Sequence, residues 1–187
     1  QIIIMTKRFE LLLFRHAKSA WDNPELTDHD RPLAPRGVRG AKLMGHFIGQ
    51  HHLWPDLVLC SSATRALDTL EITEHHWGKP KDRVEVTIDR GLYLCGADGF
   101  ARALRGLSDE HRRVMIIAHN PDLHDLALSL LPSDQQAEPK MRKMRAKFPT
   151  AALTSASLSI NSWREFQPDG AARITLFETP KTLADHS

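Results

Sequence analysis

Phe9-Glu10-Leu11-Leu12-Leu13-Phe14-Arg15-His16-Ala17-Lys18-Ser19 is the stretch that decides the fold. Its first part is almost continuously apolar and too short for a helix. Such a run reads as a strand buried on both faces, the pattern of parallel sheets covered by helices. Polarity then switches at Arg15-His16, so the strand ends there and a loop begins. Pro24, Pro32 and Pro35 break that loop.

Downstream the same alternation repeats. Val38, Ala41, Met44, Phe47 and Ile48 recur at helical spacing and predict an amphipathic helix over 36–52. Asp56-Leu57-Val58-Leu59-Cys60 predicts a second buried strand. Ser61-Ser62 begins a helix reaching about His76, with Ala66, Leu67, Leu70 and Ile72 on one side. Val84, Val86 and Ile88 alternate with polar residues, as in a half-exposed strand. A helix is expected over 99–107. Arg113-Val114-Met115-Ile116-Ile117-Ala118 is a further buried strand. Asn120 suits an N-cap and Pro121 a first helical position, so a helix should run to about Leu131. Residues 132–149 are polar and basic, with Lys140, Arg142, Lys143, Arg145 and Lys147, and read as an insertion or mobile loop. Two strands, over 156–160 and 173–177, should flank a hairpin turn at Pro168-Asp169-Gly170. The expectation is a three-layer α/β/α sandwich with a mostly parallel mixed sheet. A single domain over 9–178 follows, between an N-terminal extension 1–8 and a C-terminal tail 179–187.

Composition narrows the function. The 187 residues suit one domain of ordinary composition, 41% hydrophobic and 26% charged. With 25 Lys plus Arg against 23 Asp plus Glu, the net charge of +2 gives no bulk attraction to nucleic acid or membrane. Two cysteines exclude a disulfide scaffold and fit a reducing compartment. No apolar run approaches the ~18 residues of a spanning helix. Gln1–Met5 is too short for a signal peptide; Met5 reads as the natural start, and the expected location is the cytoplasm.

In open α/β sheets, ligands bind beyond the carboxyl ends of strands. Three such ends carry Arg15-His16, Ser61-Ser62-Ala63-Thr64-Arg65 and His119-Asn120-Pro121. Two Arg and two His converge on one place. Guanidinium forks match phosphate oxygens, and imidazole can attack phosphorus. Each residue alone has a bland reading: a loop charge for Arg15, a helix-surface charge for Arg65, a cap neighbour for His119. Their placement at the ends of different buried strands is what argues for a phosphate site.

The ordered set resembles the histidine phosphatase, or phosphoglycerate mutase-like, superfamily, and within it the short SixA-like phosphohistidine phosphatases. The resemblance lies in Leu11–Ser19, Asp30–Gly37, Pro55–Thr69, Leu92-Tyr93, Ile116–Pro121 and Phe148–Ala152, and spans about residues 9–178. It implies that His16 is the nucleophile, transiently phosphorylated. Arg15 and Arg65 would bind the phosphoryl oxygens, with Arg31 as a further phosphate-pocket arginine. His119 would donate to the phosphoryl group in the transition state. Three arginines would offset its charge, so neither metal nor cofactor is expected. Neighbouring arginines should keep His16 neutral. Ala17 replaces the glycine of larger relatives but matches the SixA-like group. No residue matches the general acid of many relatives; Asp89, Asp22, Glu25 and Asp28 are weak candidates. An alkoxide leaving group needs an acid and an imidazole leaving group does not. The expected reaction is therefore metal-independent dephosphorylation of phosphohistidine on a protein, such as a phosphorelay component. The alternative is a small phosphomonoester.

Three other readings compete. A cysteine phosphatase would use Cys60 and Arg65, but four residues separate them where five are needed, and glycines are lacking. A metal hydrolase would draw on His51-His52, His75-His76, or His119 with His124. Their spacing is off-face and no carboxylates accompany them. A non-catalytic phospho-ligand module would have lost the paired histidines, which are present. The basic 140–147 segment reads as a solvated loop or as a dock for an acidic partner.

Overall fold

The computed structural model describes residues 8–78, 83–169 and 172–185. The elements in chain order are β1 (Phe9–Arg15), α1 (Pro35–Gln50), β2 (Leu57–Ser61), α2 (Thr64–His76), β3 (Glu85–Asp89), α3 (Gly96–Arg105), β4 (Arg113–Ala118), α4 (Asp122–Leu130), α5 (Pro139–Ala146), β5 (Leu153–Leu158), β6 (Ala172–Glu178) and α6 (Pro180–Ala184). One six-stranded sheet has the order β3-β2-β4-β1-β5-β6. The β3, β2, β4 and β1 strands are parallel, and β5 runs antiparallel to both β1 and β6. This is the mixed, mostly parallel α/β architecture that the alternating elements predict.

The two-residue period of a strand explains the two cores. Leu11, Leu13, Leu57, Leu59, Val114 and Ile116 point to one face, where Phe100 and Leu104 of α3 and Leu123, Leu126 and Leu130 of α4 cover them. Leu12, Phe14, Val58, Cys60, Met115 and Ile117 point to the other, under Met44 and Ile48 of α1 and Ala66 and Leu70 of α2. The β1 strand lies between β4 and β5, so its apolar run is sealed on every side. That places Arg15 and His16 at the centre of the sheet's carboxyl edge.

Four expectations change. Residues 132–149 are not an irregular loop: Pro139–Ala146 is helical, and Met141 and Met144 are buried against the α3/α4 core. Two apolar residues three apart make a narrow seam that the surrounding cations hide. The β5 strand begins at Leu153, three residues early. Its Thr154 and Ser155 are buried polar residues, satisfied by the Leu176 carbonyl (2.7 Å) and by Glu10 Oε1 (2.7 Å). Asn120 is not an N-cap: the α4 helix starts after Pro121, and Asn120 Nδ2 donates to the Phe148 carbonyl at 2.8 Å. The β5–β6 connection is longer than a tight hairpin. It holds a 3-10 turn at Trp163–Glu165, and the Trp163 indole donates to the His111 carbonyl at 2.7 Å. Gly170 of the expected turn, residues 1–7 of the expected extension and the last two residues of the tail lie outside the described residues. Among the described residues no helix is long and apolar enough to cross a membrane.

Candidate active site

Three neighbouring strands, β2, β4 and β1, deliver Ser61, His119 and His16 to one edge of the sheet. The β1–β4 pairing continues one residue past the strand, with the His16 N–H on the Ala118 carbonyl at 3.1 Å. From the other side, Ala151 takes a left-handed backbone (φ 59°) and aims its N–H at the carbonyls of Arg15 and His16, both at 3.1 Å. The following loop is pinned twice. The Ala17 N–H donates to Thr69 Oγ1 at 2.9 Å, and that hydroxyl donates to the Arg65 carbonyl at 2.6 Å. A β-carbon on Gly37 would lie 2.1 Å from the Lys18 carbonyl oxygen, so only glycine lets α1 pack against the loop here.

His16 and His119 come together, ring centroids 5.1 Å apart, both buried. His16 Nδ1 lies 2.7 Å from the Ala17 carbonyl, which can only accept. Nδ1 therefore carries the proton and Nε2 the lone pair. Burial, more than any charge, pushes the His16 pKa down to about 3; His119, Arg65 and Arg15 push the same way and the Ala17 bond opposes them. The expected neutrality thus arises first from desolvation and only then from the arginines. His119 is held down to about 4, by burial first and then by Arg65. Its Nε2 meets Ser61 Oγ at 2.7 Å, while its Nδ1 is buried without a partner among the described residues.

The arginines divide. Arg65, in the first turn of α2, is buried and donates to both the carbonyl and the carboxylate of Asp28, the latter at 3.0 Å. Arg15 donates to the Phe148 carbonyl at 2.9 Å, and its Nε is buried without a partner among the described residues. Burial and then the Arg65 charge lower its pKa, so the two guanidiniums share one field. No side-chain hydrogen bond, ion pair or ring contact ties Arg31 to the other site residues among the described residues. Its guanidinium lies over the Trp21 ring, 4.1 Å from the centroid, and its side chain forms no hydrogen bond or ion pair among the described residues.

Sequence reasoning placed Ser61 only at a helix start and gave Thr69 and Tyr93 no role of their own. Tyr93 sets its ring edge-on to His119 (5.3 Å, 87°) and donates its hydroxyl to Asp28 Oδ2 at 2.6 Å. Of the four weak acid candidates, Asp28 alone reaches these side chains. The Tyr93 hydroxyl is the largest influence and holds its carboxyl below the ordinary range; burial opposes it, and the charge and hydrogen bond of Arg65 add to the lowering. Asp89 is occupied locally, accepting from Gly91 N at 2.7 Å. Asp22 and Glu25 are exposed in the first loop. No short-range signal in the sequence joins residue 28 to residues 65 and 93.

The competing centres look different. Burial pushes the Cys60 thiol up to about 12, so it is no thiolate nucleophile, and it packs beneath α1 and α2. His51 packs on Phe47, His76 on His46, and His124 binds the Met144 carbonyl at 2.8 Å. Among the described residues no group of three His, Cys, Asp or Glu is placed to hold a metal ion. What the cluster offers is a neutral imidazole with a defined lone pair, a second neutral imidazole, and two guanidiniums crowded into a buried edge. That is the equipment for attack on an anionic, electrophilic group.

Comparison with known proteins agrees. Residues 11–93 match the model of the histidine phosphatase superfamily (branch 1). An uncharacterized Mycobacterium leprae protein, ML1117, is 31% identical over 170 residues, covering 89% of this chain and 99% of its own. Among solved structures, SixA from Nakamurella multipartitia superposes with a TM-score of 0.76 at 25% identity, covering 92% of this chain and 96% of that one. The protein histidine phosphatase SixA complexed with tungstate gives 0.71 at 23%, over 94% and 99%. The chain belongs to the histidine phosphatase superfamily (branch 1), with the fold of the SixA structures.

Proposed function

We propose that this chain is a phosphohydrolase that works through a phospho-His16 intermediate and acts on phosphohistidine carried by a protein. The observation that carries the reading is the His16 ring: Nδ1–H is held by the Ala17 carbonyl, and the ring stays neutral down to about pH 3. Nε2 attacks phosphorus, the new N–P bond forms as the old one breaks, and the electron pair leaves with the departing group. Arg15, Arg65 and His119 bind the phosphoryl oxygens where charge gathers, so the chain's own donors supply the stabilisation. Water then attacks phospho-His16, and Nε2 departs with its lone pair, releasing phosphate.

The substrate class follows from the leaving group. A phosphohistidine ring, protonated on its far nitrogen, departs as neutral imidazole and needs no proton at the breaking bond. An alkoxide needs one. Asp28 is the acid group that reaches the site, and its carboxyl is held ionised by Tyr93 and Arg65, with no proton to give. The free thiols Cys60 and Cys95 support a reducing compartment, the cytoplasm, as its place of action.

Trapping tests this. The protein is incubated with a labelled phosphohistidine protein in EDTA, quenched in base and mapped. Acid-labile label on His16, absent from His16→Ala, is the expected result. Label elsewhere, or comparable turnover of glycerol phosphate, overturns the nucleophile or the substrate class respectively.

A further inference from the structure

A cavity of about 560 Å³ opens beside the His16 loop. Lys18, the start of α1 (Arg36, Gly37, Arg39, Gly40), Lys147 with residues 149–151, and Thr179–Lys181 line it. Five of its residues are cations: Lys18, Arg36, Arg39, Lys147 and Lys181. No acidic residue lines it, and none of the five side chains makes an ion pair or hydrogen bond among the described residues. Glu178, one residue before the wall, is committed to Lys140 and to the Thr182 hydroxyl at 2.8 Å.

We propose that this cavity is a second anion site, apart from the His16 cluster, for a small molecule bearing at least two phosphate groups. The helix geometry argues for it independently of the charge count. Arg36 stands in the first turn of α1 and Arg39 at the start of the second; α1 is a 16-residue helix whose first turn has no acid and whose N-cap, Ala34, supplies no side-chain bond. Cations at a helix start oppose the helix dipole, and the first N–H groups there want acceptors. An anion in the cavity answers both, and it neutralises Lys18, Lys147 and Lys181 besides.

Shape and charge set the ligand class. The volume lies in the small-molecule range of roughly 300–1,000 Å³. Walls from four chain segments favour a compact ligand over an extended peptide. A phosphate group carries about −1.5 to −2 at neutral pH, so one offsets at most about two of the five cations, whereas two offset about three to four. Lys18 is two residues from His16, and Ala151 donates to the His16 carbonyl, so occupancy touches the backbone that holds the nucleophile.

Calorimetric titration with methylenediphosphonate, a non-hydrolysable diphosphate mimic, tests the site without turnover. The full chain should bind it. Arg65→Ala should keep the affinity within about two-fold. Arg39→Glu with Lys181→Glu should weaken it at least about tenfold, while hydrolysis of a small phosphate ester stays within about two-fold. Lys147→Gln, which adds no charge, should weaken it in the same direction. Failure of the full chain to bind overturns the site. So does loss in Arg65→Ala, which puts the probe on the catalytic arginines, or indifference to both cavity variants. Equal competition by hexaglutamate overturns the small-molecule assignment in favour of an acidic protein segment. None of these outcomes depends on whether His16 is phosphorylated.

Discussion

Asp28 already occupies Arg65. The guanidinium donates to its carbonyl and to carboxylate Oδ2, and the Tyr93 hydroxyl donates to the same oxygen. In the proposed reaction an incoming phosphoryl oxygen must share or displace that carboxylate, which offsets part of the affinity for phosphate within the protein. Asp28→Asn removes the charge and keeps the shape. Inhibition by inorganic phosphate should then tighten by roughly three- to tenfold, on the order of 1 kcal/mol. Inhibition constants measured side by side check this; weaker inhibition would show that Asp28 instead holds Arg65 in its binding position. The sequence displays Asp28 as one acidic residue among several in a proline-broken loop. Nothing local marks it, because its partners lie 37 and 65 residues away. His16 and Arg15 are legible because strand and loop chemistry change between adjacent residues.

Among the elements, the helices and strands with strong periodicity were readable to within a few residues, and they carry the site. The α5 helix was not. Its sequence, Pro-Lys-Met-Arg-Lys-Met-Arg-Ala, shows mainly charge, yet Met141 and Met144 are 3% and 0% exposed. A buried methionine cut to alanine costs about 2–5 kcal/mol, whereas an exposed substitution costs within about 0.5. Met144→Ala should lower the urea midpoint sharply and Lys143→Ala hardly at all. Equal, small effects would return this segment to the status of a loop. β5 was misplaced for a related reason: Thr154 and Ser155 look like surface residues until their partners across the sheet are known. Tertiary context, absent from a local window, decided both.

At the scale of the molecule, the two buried imidazoles tie stability to pH. In the unfolded chain each accepts a proton near pH 6.5. In the folded protein His16 and His119 wait until about 3 and about 4. Below pH 6.5 the unfolded state therefore binds more protons, and stability falls as pH falls. Each ring contributes a slope approaching about 1.4 kcal/mol per pH unit, ending once its folded value is passed. Urea midpoints should drop from pH 7 to pH 5, and His16→Ala should show a shallower dependence over the same interval. An unchanged slope in that variant would mean that His16 is charged in the folded protein. Hydrolysis, which in the proposed mechanism uses the neutral ring, should by contrast gain no imidazole-type acid limb near pH 6.5.

The central place of β1 also shapes how the chain is made. Its flanking strands come late: Glu10 meets Arg113, 103 residues on, and Ser155, 145 residues on. At about 5–20 residues per second, a ribosome takes roughly 5–20 s to supply the first of those partners. Throughout that interval Leu11-Leu12-Leu13-Phe14 is an apolar segment of β-forming chain with no neighbour to pair with, the kind of stretch that nucleates aggregation. The strand that leads into His16 is thus the first part of the candidate site to be synthesised and must wait for its sheet, so the yield of folded protein depends on how well the nascent chain is shielded until β4 emerges.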